Sequence, residues 1–212
     1  ARQATFQVKG DLWDFPCGKH PTGRFAVSAK LSEVELNYAP AYLTPNGSGW
    51  PGLQRLEAEL DIDKTALRLR NASAVVHGQP TLRATKGHAE IADYTHDARL
   101  VVQARATGPA SEALAFVNRS ALRGMTGDAL AQASMGGNAD IGFKLDLPLN
   151  RREGTRVEGS WALAGNDIQI TPDTPKLEGT QGGLTFTETG FTVSRATTRV
   201  LGGDLRFEGG LK

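Results

Sequence analysis

The stretch Asp140-Ile141-Gly142-Phe143-Lys144-Leu145-Asp146-Leu147-Pro148-Leu149 decides the fold class. Ile141, Phe143, Leu145, Leu147 and Leu149 occupy odd positions, and Asp140, Lys144 and Asp146 occupy even ones. Only an extended chain sends odd and even side chains to opposite faces; a helix would spread both sets around its circumference. Pro148 offers no N–H to a neighbouring strand, which places it near a strand end or on a sheet edge.

The same period-two pattern recurs on both sides of this stretch. Phe6, Val8 and Leu12 alternate with Gln7, Lys9 and Asp11, and Phe25, Val27, Ala29 and Leu31 follow. Leu56, Ala58, Leu60 and Ile62 face away from Arg55, Glu57, Glu59 and Asp61. Shorter runs are Leu67 with Leu69, Leu100 with Val102, and Trp161 with Leu163. Asp63-Lys64, Gly165-Asn166-Asp167, Glu188-Thr189-Gly190 and Gly202-Gly203 separate such runs and predict tight turns. Links this short join antiparallel neighbours, because a parallel crossover takes a dozen or more residues. The expectation is a mainly β fold, an extended, curved antiparallel meander shaped like a groove.

Two short α-helices are predicted. Ser111 can cap one that runs through Glu112, Leu114 and Phe116 to about Asn118. Thr126 or Gly127 can open a second, through Leu130 to about Ser134, before Gly136-Gly137 stops it. This divides the chain into β sub-units 1–108 and 137–212 joined by a helical region, 109–136. Two helices of this length cannot cover a long sheet, so its apolar face must meet a second layer, adjoining repeats or an apolar ligand.

Composition narrows the function classes. The 212 residues carry 24 Lys plus Arg against 23 Asp plus Glu, with the signs interspersed, so no basic stripe recommends nucleic acid. The single cysteine, Cys17, forms no internal disulfide framework. Ala1 at the start, and a pattern still running at Gly209-Gly210-Leu211-Lys212, read as the ends of an internal segment of a larger protein.

Sites for chemistry are weak. Gly47-Ser48-Gly49-Trp50-Pro51-Gly52 spells a dinucleotide fingerprint, but Pro51 removes a backbone donor and an alternating strand follows where a helix is needed, so a surface turn holding Trp50 is the better reading. His88, Glu90, Asp93, His96 and Asp97 are the densest set of possible metal ligands; on a strand His88 and Glu90 share a face and Asp93 does not. Cys17 and His20 sit in a Pro/Gly loop with no third group to orient them. No catalytic residue, cofactor site or metal site is assigned.

Phe6-x-Val8-x-Gly10-x-Leu12, Asp14-Phe15-Pro16, Gly23-x-Phe25, Leu36-x-Tyr38 and Trp50-Pro51-x-Leu53 come in an order that resembles the large bacterial AsmA-like envelope proteins of the YhdP type. Leu114-x-Phe116-Val117, Leu145-x-Leu147-Pro148-Leu149, Leu177-Glu178-Gly179, Phe186-x-Glu188-x-Gly190 and Leu201-Gly202-Gly203 continue the series. Cys17 departs from the aromatic residue expected after Pro16. The resemblance implies kinship with TamB and the bridge-like lipid-transfer proteins: an inner-membrane anchor outside this chain, repeated β units across the periplasm, and phospholipid movement to the outer membrane along an apolar groove. Its expected partners are phospholipid acyl chains, adjoining repeats of the same polypeptide and, through other regions, the membrane. The expected lipid-facing residues are Leu56, Leu60, Ile141, Phe143, Leu145, Leu147, Trp161 and Leu163. The competing readings are a structural or docking domain with a closed dry core and, more remotely, a carbohydrate-active β enzyme with a carboxylate pair.

Overall fold

The alternating runs are β-strands in the computed structural model, which describes residues 3–10, 13, 23–38, 50–120, 122–125, 130–150 and 154–211. Six strands come first: β1 (Gln3–Lys9), β2 (Arg24–Leu36), β3 (Leu53–Asp63), β4 (Ala66–Val76), β5 (Gln79–Ile91) and β6 (Arg99–Pro109). Helix α1 (Ala110–Arg119) and the single turn α2 (Leu122–Met125) follow. The chain then forms β7 (Ser134–Met135), β8 (Asn138–Pro148), β9 (Arg156–Gln169), β10 (Leu177–Thr187), β11 (Phe191–Val200) and β12 (Gly203–Leu211).

All of these strands form one antiparallel sheet in the order β1-β2-β3-β4-β5-β6-β8-β9-β10-β11-β12, with β7 added beside β9. The helical insert does not interrupt it, since β6 and β8 pair in register from Arg99↔Pro148 to Pro109↔Asn138. At ~4.8 Å per strand the sheet runs about 50 Å in its hydrogen-bonding direction.

Bulges curl the sheet. Registers slip between Leu31 and Val34 in β2, Gln54 and Glu57 in β3, Leu69 and Ala72 in β4, and Thr85 and His88 in β5. Each slip holds a residue in the left-handed region: Glu33, Arg55, Asn71 and Lys86. Gly165, Gly179 and Arg195 do the same in β9, β10 and β11. An extra residue bends the strand and raises its twist. In β2 to β5 the bulges fall at nearly the same level, so their bends add into one crease, whereas those of β9 to β11 form a second group nearer the end of β9. The inward residues along the crease are small: Ala58, Ala72, Gly87 and Ala104. A Cβ on Gly87 would lie 2.8 Å from the Ala72 Cβ, closer than the crease allows.

Three sequence expectations change here. Gly165-Asn166-Asp167 is no hairpin turn but the bulge inside a continuous β9. Asn166 is fully buried there, accepting the Ala164 N–H at 3.0 Å and donating to the Gly136 and Asn138 carbonyls at 2.9 Å. That buried network stabilises the extended chain where an exposed Asn would favour a turn. Second, α1 begins at Ala110 behind Pro109, with no side-chain cap from Ser111; proline's fixed φ and missing N–H suit a helix start. Third, the helix expected over 126–134 is absent at 130–134, where a turn leads into β7; 126–129 lie outside the described residues. Ser134 and Met135 pair with Gln169 and Ile168 instead. So short a segment cannot offset helix nucleation, and the strand edge offers hydrogen bonds directly.

Candidate functional site

The inward face is apolar from strand to strand. One row crosses the sheet as Leu60, Leu69, Ala89, Val102, Leu145 and Val157. A second, nearer the strand ends, runs Phe6, Val27, Ile62, Leu67, Ile91, Leu100 and Leu147. On the far side of the crease a third runs Leu56, Ala74, Ala84, Ala106, Ile141, Trp161 and Leu184. The pairing accounts for which residues share the face: each bulge shifts the inward set by one position, so Leu67 and Leu69 are joined by Ala72, Ala74 and Val76.

The outward face is polar and cross-linked by charge. Arg70 pairs with Asp61, Arg68 with Glu90 at 2.8 Å, Arg99 with Asp146 at 2.8 Å, and Arg105 with Asp140. The Arg105 guanidinium holds the Asp140 carboxyl below its ordinary range by hydrogen bonding. Asp167 is lowered by its hydrogen bond to Lys176 and by the Gly179 N–H, and Glu188 by the Val157 N–H. These pairs are exposed and add little stability singly, but they oppose a one-residue slip that would carry charge to the apolar face.

Burial divides the inward face in two. On the α1 side of the crease, Val76, Leu82, Ala139, Trp161 and Leu163 are packed with Ala110 and Ala113 of α1. Phe116 of α1 joins them and meets Trp50 edge to face, 6.1 Å between ring centroids. Glu112 anchors the helix by accepting from the Thr81 hydroxyl at 2.6 Å and from the Thr81 and Leu82 N–H groups at 3.1 and 2.7 Å. Leu56 is packed among Leu31, Val34, Leu53 and Leu69. On the other side the large side chains of the two rows on β2 to β8 are only half-buried, and Val157 alone among the described residues of those rows is buried.

The residues expected to face lipid therefore share one face but not one environment. Leu60, Ile141, Phe143, Leu145 and Leu147 are half-buried. Leu56, Trp161 and Leu163 are 2%, 7% and 8% exposed, covered by protein. The sequence pattern missed Phe186, whose ring crosses Gly159 beside Phe143, and it missed Asn166. The alternation Leu184-x-Phe186 was the available signal for the first; nothing local marks the second.

The other motifs do not assemble a reaction centre. Trp50 is half-buried against Tyr38 and Phe116 rather than displayed on a surface turn; 39–49 lie outside the described residues, as do Cys17 and His20. His88 and Glu90 lie 3.8 Å apart on one strand, while Asp93 hydrogen-bonds Thr95 and His96 in the following loop. Among the described residues no three such side chains converge as a metal site, and no helix is long and apolar enough to cross a membrane.

Comparison with known proteins fits this geometry. The family model described as YhdP protein matches residues 1–210. The chain belongs to the YhdP family. The intermembrane phospholipid transporter YhdP of Escherichia coli (strain K12) is 27% identical over 186 residues, covering 88% of this chain and 14% of that relative's length. The YhdP-family segment therefore spans about one-seventh of this relative. No solved structure matches the chain.

Proposed function

We propose that this chain is one segment of a periplasm-spanning, inner-membrane-anchored protein that conducts phospholipid along the apolar inner face of its sheet. The observation that supports this most directly is the row from Leu60 to Leu145, half-buried beside a packed core and carrying no polar side chain on its inward face. The family relative named as an intermembrane phospholipid transporter supplies the ligand class. Moving acyl chains through water costs ~0.8 kcal/mol per CH₂, so about thirty exposed CH₂ groups raise a barrier on the order of 20 kcal/mol. A continuous apolar floor removes most of that barrier, and no side chain has to make or break a bond.

In this reading Leu60, Phe143, Leu145 and Leu147 touch the tails, while Ile141, Leu56, Trp161 and Leu163 belong to the packed side beyond the crease. The edge strands β1 and β12 each have one neighbour in the sheet, leaving backbone groups for pairing with adjoining repeats. The alternative, a docking domain with a dry core, draws on the α1-covered half.

Phe143→Asp in the full-length protein separates the two. On an open floor the new carboxylate stays partly hydrated, so the melting curve changes little while phospholipid delivery to the outer membrane falls. Leu163→Asp should unfold the segment in either case, at a cost of several kcal/mol for an unpaired buried charge. If Phe143→Asp unfolds it equally, the floor is a dry core and the proposal fails.

A further inference from the structure

The two halves of the inner face differ in one respect that bears on how a lipid lies in it. Helix α1 folds back from the end of β6 onto the ends of β5, β7 and β8, where Ala110 and Ala113 pack on Leu82, Ala139 and Leu163. Ten residues of helix span about 15 Å, enough to cross three strands. The β4–β5 hairpin, the end of β9 and β7 lie at this same margin. At the opposite margin, among the described residues, the strands end in the β3–β4 hairpin, the loop 92–98 and the β10–β11 hairpin, and Leu67, Ile91, Leu100 and Leu147 line it half-exposed.

We infer that the groove has a single working lip: acyl chains lie between the crease and the β3–β4 and β5–β6 loops, with the phospholipid headgroup in water beyond those loops, and α1 seals the other margin. The inference rests on the lipid-conducting reading and adds an orientation to it. A headgroup at the α1 margin would lie over Ala113, Phe116 and Trp161, where a phosphate would have to shed its water against apolar side chains. At the open lip the backbone and polar loop groups are already hydrated. The occupant is a two-chain lipid rather than a protein helix: the two apolar rows cross β1 to β9 without a break, about 30 Å in the hydrogen-bonding direction, and the crease of alanine and glycine accepts a thin methylene chain.

Photo-leucine incorporated throughout the full-length protein tests this without altering a residue's size. The protein is mixed with vesicles of phosphatidylethanolamine and phosphatidylglycerol, irradiated, and its lipid adducts are mapped by mass spectrometry. Adducts at Leu67, Leu100 and Leu147, exceeding those at Leu53, Leu82 and Leu163 by several-fold, are expected. Equal yields at the two sets would overturn the single lip while leaving the conducting role intact, and an excess at the second set would reverse the orientation. Adducts at neither set would remove the lipid reading itself.

Discussion

The Phe186 ring lies across the backbone of Gly159, so that a Cβ built on Gly159 would sit 1.9 Å from its Cζ. Phe186 and Gly159 are direct cross-strand partners, and Phe143 faces Gly159 from the other side. The missing side chain lets the Phe186 ring lie over β9, beside the strand that carries Phe143. Gly159→Ala should force Phe186 from its place and destabilise the fold by about 1–3 kcal/mol, the usual range for overpacking. Phe186→Ala in the same protein should recover part of that loss, a coupling read from urea melts of the four variants. Strict additivity would show that the ring does not need the glycine.

Asn166 holds the β9 bulge to the strand that follows α1. Its amide donates to the Gly136 and Asn138 carbonyls, and its oxygen takes the Ala164 N–H. Asn166→Ala leaves these groups buried and unpaired, with an expected loss of about 2–4 kcal/mol in chemical denaturation. A loss within half that range would mean water replaces the side chain.

Glu112 ties α1 to the start of β5. Glu112→Ala should cost about 1.5–3 kcal/mol, as for hydrogen bonds to a charged group. Amide exchange should quicken in α1 before it does in β6 and β8. Unchanged α1 protection would assign the helix's position wholly to Ala113 and Phe116.

Asp140, Asp167 and Glu188 have folded-state pKa values shifted below their ordinary values of 3.8, 3.8 and 4.5. Groups shifted this way add stability that is present above the unfolded value and is lost as pH falls through the folded one. The thermal midpoint should therefore hold down to about pH 5 and decline between about pH 5 and pH 2. Arg105→Met should flatten the decline by removing the Asp140 contribution. A midpoint that rises on acidification would refute the sign.

The sequence alone determined that the chain is an antiparallel meander and which way β8 faces. That strand was the clearest because it pairs with β6 across its whole length without a slip. Asp63-Lys64 and Gly202-Gly203 marked real hairpins because left-handed φ at Lys64, Leu201 and Gly202 is a local demand, and Glu188-Thr189-Gly190 did so because the Thr187 N–H reaches the Gly190 carbonyl. The bulges were not legible: a strand that gains one residue looks like two short alternating runs out of phase, as in Leu67-x-Leu69 followed by Ala72-x-Ala74-x-Val76. Telling a bulge from a turn at Gly165-Asn166 required the carbonyls of Gly136 and Asn138, roughly thirty residues away. The apolar face was likewise a property of the sequence, but its division into a packed half and an open half was not. That depended on where α1 lands, and the landing is fixed by Glu112 reaching the end of β5 and by Ala113 and Phe116 meeting a surface that exists only once β5, β8 and β9 are side by side.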